Sequence, residues 1–557
     1  MKKNMLFILL CIMLPLCVSC VEIIQPNTPE SCHCEYDNWT IEAESTCTLD
    51  GVISATCKHC GKGTTKPLTA KGHTLNTISG ISPTCTEEGL TEGTECTVCN
   101  EVFVEPSIVE KTPHNYINGI CVSCNSLYSS QGLEFILNED KQSYCVKIGD
   151  CKDSIVVIPE TYNELPITLI KSDSFNNCTF TKISVPSSVL TIENGAFYGC
   201  TKLESISLPF VGKSLDSTGK ESVFGYIFGD KEFSNSVSAK QAYSSLWAVT
   251  YYLPASLTRV DLTNDKIPFG AFSGCSNIQS ISTADSIQSV SGYAFLNCTA
   301  LKSIPDLSSA TSVGDCAFQN CTNLVNISIG KPTKAIGDNV FLGCASLTEI
   351  TVHPDNPTYK SIANNLYSKD GKTFIYYSQG NTNEEFTLAD GVTSIVSYAF
   401  YGITALKRIN LPDGLEVIES SAFRGCSSLI NISLPNSVTK IGGSAFLGCE
   451  QLTTVVFSSS LTLIESYAFQ KCKALTTVIL PNSLVEIGNY AFSVCSSLTK
   501  VYIPNSVEII GENVFWRSYD AIIYCEASEA KEQWSMDWNP SNCDVFWSSK
   551  PDIGQLI

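Results

Sequence analysis

Histidine is scarce in this chain: five residues, His33, His59, His73, His114 and His353, among 557. The long repetitive part of the sequence contains none, His353 falling where the repetition breaks. A Ser/His/Asp or Cys/His arrangement therefore has no general base on the repeat surface. Charge is sparse too. Charged residues make up 16 % of the chain, and 35 Lys and Arg against 55 Asp and Glu leave a net charge of −20. No cluster of Lys or Arg stands out, which argues against nucleic acid as a partner, because phosphate binding needs concentrated positive charge. Glycine-rich phosphate loops are missing, and the carboxylates are scattered without a convergent pair. Beyond the first twenty residues no apolar run is long enough to span a bilayer. These absences point away from an enzyme.

What is present is periodic. Phe400, Phe423, Phe446, Phe469, Phe492 and Phe515 follow one another at intervals of 23 residues, and Phe272, Phe295, Phe318 and Phe341 keep the same interval. Most are followed three residues later by cysteine. A period of this length means one small unit stacked on copies of itself, a solenoid. Stacking also resolves the size problem, since 557 residues exceed the roughly 250–300 at which a single core stops growing. Such an architecture offers a long repetitive surface, suited to binding.

The clearest unit, Cys426 to Gly448, reads CSSLINISLPNSVTKIGGSAFLG. Leu429, Ile432 and Leu434 predict a short strand ended by Pro435, which cannot extend a ladder. Asn436-Ser437 supplies a turn, Val438 and Ile441 a second extended segment, and Ala445-Phe446 closes the coil. Each apolar set is too small to bury itself alone, so stacking must bury it. The cysteines at one repeat position, Cys178, Cys200, Cys275, Cys298, Cys321, Cys344, Cys426, Cys449, Cys472 and Cys495, would stack at about 4.7–4.9 Å. Ladder side chains point the same way, so these are expected to be buried thiols acting as small hydrophobes. Ile403 takes the position in one unit, which an obligatory bridge would not permit.

Between the buried strand positions lie outward-facing ones. In the later units these are Lys407, Arg408, Asn410, Asn431, Ser433, Thr453, Thr454, Thr476, Thr477, Thr499, Lys500 and Tyr502, a candidate binding face dominated by hydroxyls and amides. Rows of aromatics suited to sugar rings are not evident in it.

The start of the chain has Lys2 and Lys3, an apolar run from Met5 to Val18, and then Ser19-Cys20, the layout of an export signal. Ser19-Cys20 resembles the bacterial lipobox, which would make Cys20 a lipidated first residue. Diacylation there would meet the need of stable anchoring for more than one chain. The alternative is an ordinary secretory signal cut nearby.

Residues 32–125 are rich in cysteine. Cys47, Cys57-x-x-Cys60 and His73 recur as Cys85, Cys96-x-x-Cys99 and His114, two copies 38 to 41 residues apart, followed by Cys121-x-x-Cys124. Three thiolates and an imidazole would satisfy structural zinc. The competing reading is disulfide stapling of an exported segment with little core. Cys525 and Cys543, near the C-terminus, are candidates for a disulfide of their own.

The pattern L-x-x-I-x-L-P-x-S-V-x-x-I-G-x-x-A-F-x-x-C, running from about Gly132 to Asn542, resembles the BspA-like leucine-rich repeats of bacterial surface proteins. Residues 353–390 resemble the hairpin insert of such proteins, with Lys369-Asp370-Gly371-Lys372 as its turn. The stretch from 521, with Cys525, Trp534, Trp538, Cys543 and Trp547, resembles their terminal cap. The resemblance implies a leucine-rich repeat solenoid of about 23-residue repeats, β-rich with short helical turns, preceded by small Cys-rich β modules. The expected division is a signal peptide at 1–19, a linker at 20–31 and Cys-rich modules at 32–125. First repeats at 126–208, an irregular insertion at 209–261, repeats at 262–520 and a cap at 521–557 follow. It also implies an exported protein at the outer membrane or cell surface that adheres to extracellular matrix or other cell-surface proteins and touches the membrane only through its lipid anchor. The alternatives are a scaffold within the envelope and zinc binding by the Cys-rich region.

Overall fold

The computed structural model describes residues 33–549 apart from 113–115, 118–119, 122 and 125–128. Cys20, His114 and the signal and linker segments lie outside the described residues. The chain divides into two units, Met1–Ser126 and Leu127–Ile557.

The second unit is a β-solenoid. Each coil contributes two short strands, as in Asn431–Ser433 and Lys440–Ile441. The shorter strands stack in parallel with a constant offset, so that Ile395, Ile418, Ile441, Ile464, Ile487 and Ile510 form one column. A second column holds the phenylalanines. Phe423, Phe446, Phe469 and Phe492 are fully buried, with centroids 5.1–5.3 Å apart and planes within 6° of parallel. Each offset pair is worth about 0.5–1.5 kcal/mol beyond the area it buries. The longer strands form shorter ladders, interrupted between Arg408–Asn410 and Asn431–Ser433 and again between Thr454–Val456 and Thr477–Ile479.

Two residues of left-handed conformation flank the phenylalanine of a coil. Around Phe446 they are Ser444 (φ 58°) and Gly448 (φ 77°), and around Phe492 they are Tyr490 (φ 57°) and Val494 (φ 60°). A left-handed residue stops a right-handed helix, so this part of the coil is built of turns. Among the described residues, helix is confined to two 3₁₀ stretches, Gly219–Glu221 and Phe224–Ile227.

The repeat cysteines are buried thiols, and most of them also donate to the preceding coil. Cys200, Cys298, Cys344 and Cys426 each place Sγ 3.0 Å from the carbonyl oxygen of the phenylalanine one coil earlier (Phe175, Phe272, Phe318 and Phe400). Cys449, Cys472 and Cys495 do the same at 3.3 Å. Where the repeat has Ser518, its Oγ donates to Phe492 O at 3.0 Å. Where the insert displaces the cysteine, the Tyr376 hydroxyl donates to Phe341 O. A buried side-chain donor recurs at this point of the coil, though Ile403 fills the cysteine position in one unit without one.

Residues 209–258 are one enlarged coil, because Ser205–Leu208 pairs directly with Arg259–Leu262. Phe224 enters the aromatic column against Phe272, centroids 5.0 Å apart. The extra chain leaves as an antiparallel hairpin of Ser236–Ala242 and Ala248–Pro254. The hairpin is anchored by buried Gln241, which accepts from Gly225 N at 2.5 Å and donates to Ala271 O at 3.2 Å. In the second interruption, Tyr359–Ile362, Asn365–Ser368 and Thr373–Tyr376 form an antiparallel meander whose last strand rejoins the parallel ladder. The Asp370 carboxylate accepts from Lys372 N at 3.0 Å and Ser368 Oγ at 2.6 Å in the 369–372 turn, where Gly371 has φ 79°. At the C-terminal end Trp538 sits edge-on to Phe515, 6.0 Å between centroids, and closes the column.

Cys525 and Cys543, the pair expected to bridge in this cap, are both buried free thiols. Cys525 lies in register with Ile503 at the end of a core strand. Cys543 places its Sγ 3.1 Å from Ser518 O. The two thiols belong to different columns.

The first unit is built of short antiparallel strands. Thr40–Ala43, Gly51–Thr56 and Gly63–Leu68 form one sheet, and Leu75–Ile78, Gly93–Cys96 and Val102–Val104 another. Its buried apolar side chains, among the described residues, are Cys47, Ala55, Cys57, Cys85 and Cys96. Ile41, Leu49, Leu75, Ile81 and Ile108 are all exposed.

Candidate functional site

The outward face of the longer strands departs from its expected hydroxyl-and-amide character at a particular place. The outward residue that follows the buried strand centre is Ser433, then Val456, and further along Ile479, Tyr502, Tyr524 and Phe546, paired in register within each ladder. Val456 is 55 % exposed and Phe546 52 %; between them Ile479 and Tyr524 are half-buried and Tyr502 is only 4 % exposed, Tyr524 stacking on Phe546 with centroids 5.5 Å apart. An apolar row therefore runs along the C-terminal half of the face. At the interruption between Thr454–Val456 and Thr477–Ile479 it opens into a groove of about 630 Å³, lined by Val456, Phe457, Ile479, Leu480, Pro481 and Tyr502 together with threonine hydroxyls. No charged residue lines it. Burial, with Glu526 beside it, pushes the Tyr502 phenol up to about 12, so the group stays a neutral donor.

Of the face residues read from sequence, Thr453, Thr454, Thr476, Thr477 and Tyr502 line this groove. Others are engaged within the solenoid. Lys407 pairs with Glu384 at 2.6 Å and Arg408 with Glu385 at 2.5 Å, each on the preceding coil. Asn410 Nδ2 donates to Thr387 Oγ1 at 3.1 Å. Thr453 and Thr499 hydroxyls donate to Ile430 O and Thr476 O at 3.0 and 3.1 Å. Exposed ion pairs of this kind contribute little, about 0–1 kcal/mol. Asn431 and Ser433 are exposed, and Lys500 is half-buried. Ser, Thr and Asn dominate the outward positions by residue type and mask the apolar row in the sequence. The signal lay in the change at one position from Ser433 to Val456 to Ile479.

The enlarged coil presents a second apolar feature. Its hairpin tip exposes Leu246 at 85 % and Trp247 at 65 %, held by Ser244 Oγ accepting from Trp247 N at 3.0 Å.

In the first unit the thiols and imidazole gather across the two sequence copies. Cys47 and His73 of the first copy converge with Cys96 and Cys99 of the second, their ligand atoms all within 4.8 Å of one another. Cys57 and Cys60 group with Cys34. The in-copy set of Cys47, Cys57, Cys60 and His73 is therefore not the one the fold assembles, because each Cys-x-x-Cys hairpin closes against chain that precedes its own copy. Both hairpins use one geometry: Gly61 N bonds Cys57 O at 3.0 Å and Asn100 N bonds Cys96 O at 2.9 Å. Gly61 (φ 74°) and Asn100 (φ 60°) make the left-handed turn. Burial raises the Cys96 thiol, but the N–H groups of Cys99 and Val98 and the His73 ring outweigh it and bring it down to about 5. Cys47 is pushed up to about 12 by burial and by Cys96 and Cys99 beside it. Cys85 is buried.

Comparison with known proteins gives the class. The family model described as "BspA type Leucine rich repeat region (6 copies)" matches residues 159–243, 248–373, 372–463 and 393–522, more than half of the chain. The protein belongs to that family. No curated protein sequence matches it. Among solved structures it is similar to a leucine-rich cell surface protein of Faecalibacterium prausnitzii (24 % identity, 76 % of this chain and 98 % of that one, TM-score 0.43). It is also similar to the pneumococcal vaccine antigen PcpA (18 %, 76 % and 99 %, TM-score 0.45) and to a leucine-rich repeat protein of Bacteroides ovatus (21 %, 75 % and 99 %, TM-score 0.46). No helix among the described residues is long and apolar enough to cross a membrane.

Proposed function

We propose that this protein is an exported binding scaffold, held at the cell surface by lipid on Cys20, whose solenoid face adheres to proteins of the host matrix or of other cells. The carrying observation is the apolar row ending in the uncharged groove at Val456, Ile479 and Tyr502. Exposed apolar side chains that line an open groove commonly mark an interaction site. A groove with an apolar floor and hydroxyl rims suits a protein segment that inserts aliphatic or aromatic side chains and hydrogen-bonds at its edges. Nothing along it offers the charge that a nucleic acid or an acidic substrate would need, and the reading is of a binder rather than an enzyme.

The test is saturable binding of the mature chain to immobilised matrix proteins and to bacterial cells, paired with protease treatment of intact producing cells. Adhesion requires saturation on at least one surface and cleavage without lysis. A chain that stays intact until cells are broken belongs to an internal envelope scaffold instead. Mass spectrometry of the mature N-terminus reads the anchor directly, acyl mass on Cys20 being expected.

A further inference from the structure

We propose that Cys47, His73, Cys96 and Cys99 bind one structural zinc ion, and that this ion staples the two Cys-rich modules to each other rather than closing either one on itself. Four groups from three separate segments converge with the spacing a tetrahedral ion requires. Cys47 Sγ and Cys96 Sγ are 3.6 Å apart, and Cys99 Sγ and His73 Nδ1 are 3.5 Å apart. Zn–S bonds of about 2.3 Å and a Zn–N bond of about 2.0 Å at tetrahedral angles give edges of about 3.8 and 3.5 Å. A disulfide would join two of the four and leave an imidazole and a thiol aimed at the same point for no purpose.

Three further features favour metal. Val98 N lies 3.4 Å from Cys96 Sγ, the backbone donation to sulfur that a turn of the Cys-x-x-Cys type provides to a thiolate. On the far side of the ring, His73 Nε2 faces the Glu101 carboxylate at 3.7 Å, the outer partner that fixes a ligating imidazole through its other nitrogen. Phe103 packs edge-on against the same ring, centroids 4.7 Å apart, and restricts its rotation. The need for a cross-link is independent of this geometry. Among the described residues of the unit, four of the five buried apolar side chains are cysteines, while Ile41, Leu49, Leu75, Ile81 and Ile108 face solvent. Segments of this size without a core depend on disulfides or metal for stability. Binding would release the thiol protons to solvent.

The arrangement is distinguished by which cysteines protect one another. Mature reduced chain is loaded with zinc, its metal content is measured, and the cysteines are alkylated and located by mass spectrometry, beside chain treated with chelator. The proposal expects at least one zinc per chain and protection of Cys47, Cys96 and Cys99. In Cys47→Ser, Cys96 and Cys99 lose at least tenfold in protection while Cys57 and Cys60 keep their wild-type rates. Loss of protection at Cys57 and Cys60 in that variant, alone or together with Cys96 and Cys99, overturns the shared site. So does a chain that takes up no zinc, or one isolated with these four positions oxidised. The alkylation rates of buried Cys449 and Cys472 in the solenoid show in the same sample that the rest of the chain is folded.

Discussion

The donor role of the buried cysteines can be separated from their packing role at Cys426. This residue is fully buried, its Sγ 3.0 Å from Phe400 O, and the same carbonyl already accepts from Ile403 N at 3.3 Å. The thiol therefore fills a second acceptor site, and losing it removes a net bond of about 0.5–1.5 kcal/mol without leaving the carbonyl orphaned. Cys426→Ala also removes buried volume equivalent to about one methylene, roughly 0.8 kcal/mol before any cavity term. The total is about 1.3–2.3 kcal/mol before any cavity term. Cys426→Ser keeps the donor, as Ser518 does naturally at the same repeat position with a 3.0 Å bond to Phe492 O, and is expected to cost about 1 kcal/mol. Urea denaturation of the reduced mature chain, followed by far-UV circular dichroism, should rank wild type above Cys426→Ser above Cys426→Ala. If the thiol were only a small hydrophobe, burying a hydroxyl would be the worse change, costing about 1–3 kcal/mol. Serine ranking below alanine would refute the reasoning.

Three other outcomes follow from the coil. Val494 is a β-branched residue at φ 60°, at a repeat position held by Gly402, Gly425 and Gly448 in some coils and by Asn297, Asn320, Lys471 and Arg517 in others. Relief of a left-handed strain of about 1–2 kcal/mol should let Val494→Gly raise the urea midpoint, and a lowered midpoint would show that its side-chain packing matters more. Gln241→Leu leaves Gly225 N without its buried acceptor, so a loss of about 1–3 kcal/mol and faster proteolysis of the 236–254 hairpin are expected; unchanged cleavage would deny that Gln241 anchors it. The Asp140 carboxyl is held below the usual range by the N–H of Gln142 and the hydroxyl of Ser143. Its stabilisation is present above the unfolded-state pKa and lost as pH falls through the depressed one. Asp140→Ala should therefore destabilise the chain at neutral pH and cease to matter in strong acid, and equal destabilisation at both would remove the charge from the explanation.

Much of the solenoid was legible in sequence because each coil repeats one set of buried positions. Phe446, Ile441 and Ile432 recur at a constant interval, and a constant interval forces columns. The enlarged coil at 209–258 was not legible, since Phe224 fills the aromatic column from a 3₁₀ turn that has no period to betray it. The candidate site was legible only in part. Thr453, Thr454, Thr476, Thr477 and Tyr502 could be placed on the outward face by alternation, but the groove between them depends on a ladder interruption that no residue pattern announces. For the cysteine cluster the residue types were readable while the grouping was not. Spacing suggested ligands within one copy, whereas the hairpins bring Cys96 and Cys99 against Cys47 and His73.

The proposed adhesive role of the face is tested most directly at Val456, which is more than half exposed and lies in the groove. Wild-type mature chain and Val456→Asp are titrated onto an immobilised panel of matrix proteins and onto bacterial cells. The expected result is saturable binding that the aspartate weakens at least tenfold, about 1.4 kcal/mol, with an unchanged urea midpoint. Equal binding by the two proteins, or no saturable binding of wild type to any surface, would contradict it.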